Sequence, residues 1–328
     1  EFRRVLFRSK CKNTLSKRLK KNRRRKKLVR SFVLIILIGI GLNIYIYNHK
    51  ASIKVDSNQY EASNEYNYET KKFEDKINSE NISNSPVENL KTDVDNFEKV
   101  DITNENKGVP VLCYHSIGYD ESGKSPLIVS PQKFKEHMKA LKDNGYTALT
   151  ISELEDYLVN DKPIPVKSIL ITFDDGYKDN YTNAFPILKE LNMNATIFVV
   201  SSLINGETSM TSQQIKEMSD YGIDIESHTV SHKRLSEMSY NEQLEELSKS
   251  KKEIEEITGK SVIAAAYPEG MYNDDTKSAV ENAGYKMGFT IEHGYADRDD
   301  NFSMLNRICI DYTFNWNNIN YIINNIKK

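Results

Sequence analysis

Two adjacent carboxylates, Asp174 and Asp175, end the run "SILITF" and are followed by Gly176. The run is apolar and β-branched, which reads as a buried strand. Neighbouring carboxylates raise each other's pKa unless a cation or hydrogen bonds relieve the repulsion. The pair therefore implies either a tight turn, where Asp-Gly is common, or a site that expects a metal. Further on, His228 and His232 stand four apart in "SHTVSH", directly after "IDIES". His115 follows "VPVLCY", and Tyr267-Pro268-Glu269-Gly270 follows another strand-like run. Two histidines and one carboxylate make a three-ligand metal set with an open coordination position. Such a centre holds a reactive water and lowers its pKa toward neutrality. The second carboxylate is then free to act as a base. Singly, each feature has a plainer reading, a turn or a surface histidine; their combination at strand ends is what carries information. His49, His137 and His293 have no partner pattern and read as structural.

The elements that must position these residues alternate from Gly108 onward. Strands are expected at residues 109–114, 147–150, 169–173, 195–200, 223–227, 262–267, 285–290 and 306–310. Between them lie helices. Ser130 caps one with Pro131 at its first position, ending at Asn144 before Gly145. Ser152 opens "SELEDYLVN". A helix over residues 180–191 carries Pro186 inside it, an expected kink. Thr211 with Gln214, and Ser239 with Glu242, form capping boxes, the second for a long helix that stops at Gly259. Further helices span 274–283 and start near Asn315. About eight βα units imply a parallel sheet closed into a barrel or partial barrel, with chemistry at the C-terminal strand ends.

At this point the residues resemble a family. "TFDDG" at residues 172–176 with "HTVSH" at residues 228–232 is similar to the polysaccharide deacetylase family, carbohydrate esterase family 4, the NodB-homology domain. The resemblance covers roughly residues 109–310. It implies a distorted (β/α)7-type barrel and removal of N-acetyl groups. It implies that Asp174 is the general base, and that Asp175, His228 and His232 bind one divalent metal, zinc first, with iron, cobalt or nickel as alternatives. The opening "PVLCYHSI" resembles the poly-N-acetylglucosamine deacetylase branch, in which the motif order is circularly permuted and the acid histidine comes first; this makes His115 the general acid. "YPEG" resembles the same branch, and the Glu269 backbone N–H is then the oxyanion donor. Two departures stand out. Ala266 occupies the place of an arginine that orients the base, with Arg307 in "RICI" as candidate replacement, and Glu269 occupies that of an aromatic residue. The permuted order implies an exopolysaccharide substrate, poly-N-acetylglucosamine. Peptidoglycan or chitin oligomers are the alternative polymers, and a non-catalytic surface glycan-binding protein is the alternative class.

The rest of the chain bounds the setting. The 328 residues carry a net charge of −2, unevenly spread. Residues 1–30 are strongly basic, and residues 31–47 include the apolar run "FVLIILIGIGLNIYIY". Tyr45 and Tyr47 suit an interfacial belt, and basic residues before the span keep that end in the cytoplasm. The expectation is an uncleaved single-pass anchor, with a catalytic domain outside the cell. Adjacency to the apolar span weighs against nucleic-acid binding by the basic block. The opening "EFRRVLFRS" does not begin with Met and reads as a scar. Residues 48–107 are rich in Asn, Ser, Glu, Asp and Lys without apolar periodicity, a disordered tether. Residues 108–328 form the deacetylase domain, expected to be a monomer. Cys113 and Cys309 read as buried small hydrophobes rather than a bridge.

Overall fold

Short β-branched runs bury both faces only in a sheet covered on both sides, and that is how this chain folds. The computed structural model describes residues 100–120 and 125–325. The basic segment at 1–30, the expected anchor at 31–47 and the expected tether up to residue 99 lie outside them. Among the described residues no helix is long and apolar enough to cross a membrane.

Seven strands form the closed sheet: β1 (Val109–Tyr114), β2 (Ser168–Phe173), β3 (Thr196–Val199), β4 (Asp224–Ser227), β5 (Ala264–Ala266), β6 (Met287–His293) and β7 (Leu305–Cys309). Each pairs in parallel with the next in chain order, and β7 returns to β1, which also pairs with β2. The result is a distorted seven-stranded parallel barrel. The expected eighth unit, Thr147–Ala148, pairs only with the start of β2 and stays outside the ring. A register shift between Phe289 and His293 marks the distortion on β6.

Period-two alternation sorts the side chains. Val109, Val111, Leu170, Phe198, Phe289 and Leu305 fill the lumen together with Leu154 and Tyr157 of α2 (Ile151–Asn160). Asp224 at the start of β4 accepts a hydrogen bond from Ile151 N–H, so α2 meets the barrel at its N-terminal end. The opposite strand faces pack on the outer helices α1 (Pro131–Asp143), α3 (Phe185–Leu191), α4 (Ser212–Tyr221), α5 (Tyr240–Thr258), α6 (Asp274–Asn282) and α7 (Trp316–Asn325).

The caps at Ser130, Thr211, Ser239 and Gly259 stand where the sequence places them. Three features differ. Thr150, not Ser152, caps α2, because Thr150 and Glu153 make the reciprocal box. Pro186 lies inside one unbroken helical stretch of two types, π over Asn180–Ala184 and α over Phe185–Leu191, so the irregularity expected at the proline takes the form of a change of helix type. Order also begins before residue 108, since Ile102–Thr103 pairs antiparallel with Ile164–Pro165.

Candidate active site

Asp174, His228 and Tyr267 each directly follow a strand and are held there by the ladder itself. Asp174 N–H donates to Tyr114 O at 2.9 Å, and His228 N–H to Val199 O at 2.8 Å. Tyr267 N–H donates to Phe289 O at 2.9 Å. The backbone then breaks away sharply. Asp175 and Gly176 both adopt left-handed φ, 72° and 70°. A Cβ at Gly176 would meet Val199 Cγ1 at 2.9 Å, so only glycine fits this turn. The turn and the site are thus one feature: the turn re-aims Asp175 away from Asp174.

The two carboxylates consequently have different neighbours. Asp174 is buried, and Arg307 donates from Nη1 to its Oδ1 and from Nη2 to its Oδ2, each at 2.7 Å. Arg307 is itself buried and donates from Nε to Thr290 O at 2.8 Å. Burial alone would raise the Asp174 carboxyl, but the Arg307 charge and hydrogen bonds, together with His228 and His115, outweigh it and hold the group well below the usual carboxylate range.

Asp175 faces the histidines. Its Oδ1 lies 3.1 Å from His232 Nε2 and 3.6 Å from His228 Nε2. One donor atom from each of the three residues falls within 4.8 Å of the others. His228 Nδ1 is 2.8 Å from Ala266 O. That contact makes Nδ1 the donor and leaves Nε2 with a free lone pair, the usual arrangement of a metal-ligating histidine. Burial also lowers the His228 pKa against the pull of both carboxylates, favouring the neutral ring a ligand needs. This donor set, two nitrogens and one oxygen, fits a divalent ion such as zinc.

His115 lies with Asp174 and Cys113, donor atoms of the three again within 4.8 Å of one another. Its Nδ1 is buried without a hydrogen-bond partner. Glu269 adopts φ 54° at the rim, and Arg234 fixes its carboxylate through Nε at 2.9 Å and Nη2 at 2.6 Å. The barrel mouth thus gathers Asp174, Asp175, His115, His228, His232 and Arg307. His137 is elsewhere, in the core, 3.1 Å from Tyr114 Oη and 3.2 Å from Phe314 O. His293 is exposed.

Supporting residues escaped the sequence reading. Glu246 on α5 accepts from Val230 N–H at 3.0 Å, Ser231 N–H at 2.8 Å and Ser231 Oγ–H at 2.7 Å, pinning the segment between the histidines. Asp179 accepts from Ser116 Oγ–H at 2.5 Å and Ile117 N–H at 3.0 Å, and Asn180 donates to His115 O at 2.8 Å. Asp179 and Asn180 follow the DDG motif closely, which is the one signal that marked them. Cys113 is buried as expected, whereas Cys309, also expected to be buried, is exposed.

A closed parallel barrel with titratable groups gathered at the C-terminal strand ends defines an enzyme of the barrel type. A family profile for polysaccharide deacetylases matches residues 161–288. The polysaccharide deacetylase homologue YxkH of Bacillus subtilis (strain 168) is 44% identical over 200 residues, 61% of this chain and 70% of that protein. A poly-β-1,6-N-acetyl-D-glucosamine N-deacetylase of Staphylococcus aureus (strain MRSA252) is 31% identical over 196 residues, 56% of this chain and 67% of that protein. Among solved structures, the Streptococcus pyogenes deacetylase PplD in complex with acetate matches at TM-score 0.64 and 32% identity, over 67% of this chain and 99% of that one. The chain belongs to the polysaccharide deacetylase family, and is a deacetylase of the hydrolase class. His115 and Arg307 fall outside the segment the family profile matches.

Proposed function

We infer that this chain hydrolyses N-acetyl groups of N-acetylglucosamine units in a cell-surface polysaccharide, of the poly-β-1,6-N-acetylglucosamine type, in a metal-dependent reaction. The observation that carries the reading is the pair of unlike carboxylates, Asp174 clamped by Arg307 and Asp175 among two histidines. The substrate class is supported by likeness to the Staphylococcus aureus enzyme and by the early position of His115. Acetate bound to the related Streptococcus pyogenes deacetylase is the second product of such a reaction.

Asp175, His228 and His232 would hold the divalent ion, zinc or alternatively iron, cobalt or nickel, which supplies Lewis acidity and eases the ionisation of water. Asp174 accepts the proton of the attacking water. Arg307 keeps that carboxylate ionised and aims it, because a bidentate clamp fixes the carboxylate plane. The Glu269 N–H donates to the oxygen that gains charge as the acetyl carbon becomes tetrahedral. His115 gives a proton to the departing nitrogen, since an unprotonated amine is a poor leaving group. The products are acetate and a free amine, which makes the polymer cationic at neutral pH. The basic block and apolar run at residues 1–47 support an anchor at the cell membrane with the barrel outside.

The test is acetate release from β-1,6- and β-1,4-linked N-acetylglucosamine oligomers and from peptidoglycan. Preference for the β-1,6 polymer is expected. Preference for the β-1,4 chains would move the substrate to chitin oligomers, or to peptidoglycan if that is the favoured polymer. Binding without release would replace the enzyme by a glycan-binding protein.

A further inference from the structure

We propose that Cys113 and Cys309 are an oxidant-responsive thiol pair at the barrel mouth, which closes to a disulfide and lowers deacetylation; the second half rests on the function proposed above. β1 and β7 run parallel with Cys113 directly opposite Cys309. Strands so paired stand about 4.7–4.9 Å apart, inside the roughly 4.4–6.8 Å that disulfides span between Cα atoms. Alternation puts both thiols on the inward face, Cys113 with Val109 and Val111 and Cys309 with Leu305 and Arg307. Cys113 Sγ is 3.6 Å from Asp174 Oδ2.

Their exposures divide the labour. Cys309 is exposed and Cys113 is buried, so an oxidant reaches Cys309 and Cys113 resolves. The neighbouring Cys113 thiol, helped by the Arg307 charge, lowers the Cys309 pKa against the opposing effect of burial, which favours the thiolate, the reactive form. The oxidant is a peroxide. The Cys309 sulfur attacks one peroxide oxygen, the O–O bond breaks, and the departing oxygen leaves as water, giving a sulfenic acid. Cys113 then loses its proton and attacks that sulfur; the S–S bond forms, the S–O bond breaks, and a second water leaves. Two sulfurs have given up two electrons to one peroxide. Closure takes the Cys113 thiol hydrogen away from Asp174 and ties β1, which leads into His115, to β7, which carries Arg307. A reducing thiol reverses both changes.

The experiment uses the full chain carrying Cys11→Ser, so that only these two thiols remain. It is treated with hydrogen peroxide, then with dithiothreitol. Expected are joint loss of both free thiols, a mass lower by two hydrogens, and one proteolytic fragment holding both cysteines. Acetate release should fall with closure and return on reduction, and Cys309→Ser added to the same chain should make release insensitive to peroxide. Oxygen addition without a cross-link, or no thiol loss, overturns the pair. A cross-linked protein with undiminished release overturns its effect on activity. If no polymer yields acetate even before oxidation, the proposed function fails, while thiol count and mass still decide the pair.

Discussion

At the scale of single residues, the buried Asp174–Arg307 pair is the most consequential feature. Moving two charges out of water costs several kcal/mol each, and geometry must offset it. Here both guanidinium nitrogens meet the carboxylate and the third meets Thr290 O. Arg307→Met should cost about 3–5 kcal/mol of stability, because it strands a buried carboxylate. Adding Asp174→Leu should recover much of that loss. Urea denaturation of Arg307→Met, Asp174→Leu and the double variant measures both values, and strictly additive losses would argue against a coupled pair. His115→Asn tests the acid. Removing a positioned acid costs about 10²–10⁴ in rate, and the cost should appear on the N-acetyl amide but much less on an activated aryl acetate, whose phenolate leaves unaided. Equal loss on both substrates would reduce His115 to a positioning role. The ligand pattern was readable because His228 and His232 lie in one short motif. Arg307 was readable only as a candidate, since nothing local ties "RICI" to a residue 133 positions away.

At the scale of elements, the segment between the histidines is a strained loop under tension from one helix. Thr229 and His232 both hold left-handed φ, 65° and 56°, and non-glycine residues there cost on the order of 1–3 kcal/mol each. The three hydrogen bonds to Glu246 hold the loop against relaxation. Glu246→Ala should therefore weaken zinc affinity about 10–100-fold, although Glu246 is not itself a ligand candidate. Competition with a chelator reads this directly, and unchanged affinity would leave Glu246 with no part in shaping the site. The sequence did not mark Glu246, because α5 carries glutamates at several exposed positions and only packing selects one. Helix caps were legible for the opposite reason: their partners lie three residues apart. Pro186 marked the irregularity in the helix over residues 180–191 but not its form, because a π turn is decided by what the preceding turn bonds to, Asn180 to His115 O among others.

At the scale of the whole molecule, stability should depend on pH through His137. Burial pushes its pKa down to about 4, with the Phe314 carbonyl pulling the other way. An unfolded histidine titrates near ~6.5. Between those values the unfolded chain binds more protons, so stability is whole above pH ~6.5 and is lost as pH falls toward 4. The loss is on the order of 3 kcal/mol. The Asp224 carboxyl, raised by desolvation to about 7, acts with the opposite sign, its contribution being present below the unfolded carboxylate pKa and lost as pH rises through 7. The difference between wild type and His137→Gln isolates the histidine: it should shrink as pH falls from 6.5 to 4.5. A difference constant with pH would show that His137 does not titrate on unfolding. The barrel class was legible because βα alternation restricts the topology. The strand count was not, since Thr147–Ala148 has the same local character as a ring strand and is excluded by closure alone.

The central claim is that two neighbouring aspartates do different work, one holding a metal and the other taking a proton. Its most direct test compares Asp174→Asn and Asp175→Asn in metal content and in acetate release from β-1,6-linked N-acetylglucosamine oligomers. Asp174→Asn should keep its metal and lose about 10²–10⁴ in rate, whereas Asp175→Asn should lose the metal itself. Asp174→Asn protein that retains metal and releases acetate at the wild-type rate would contradict the account.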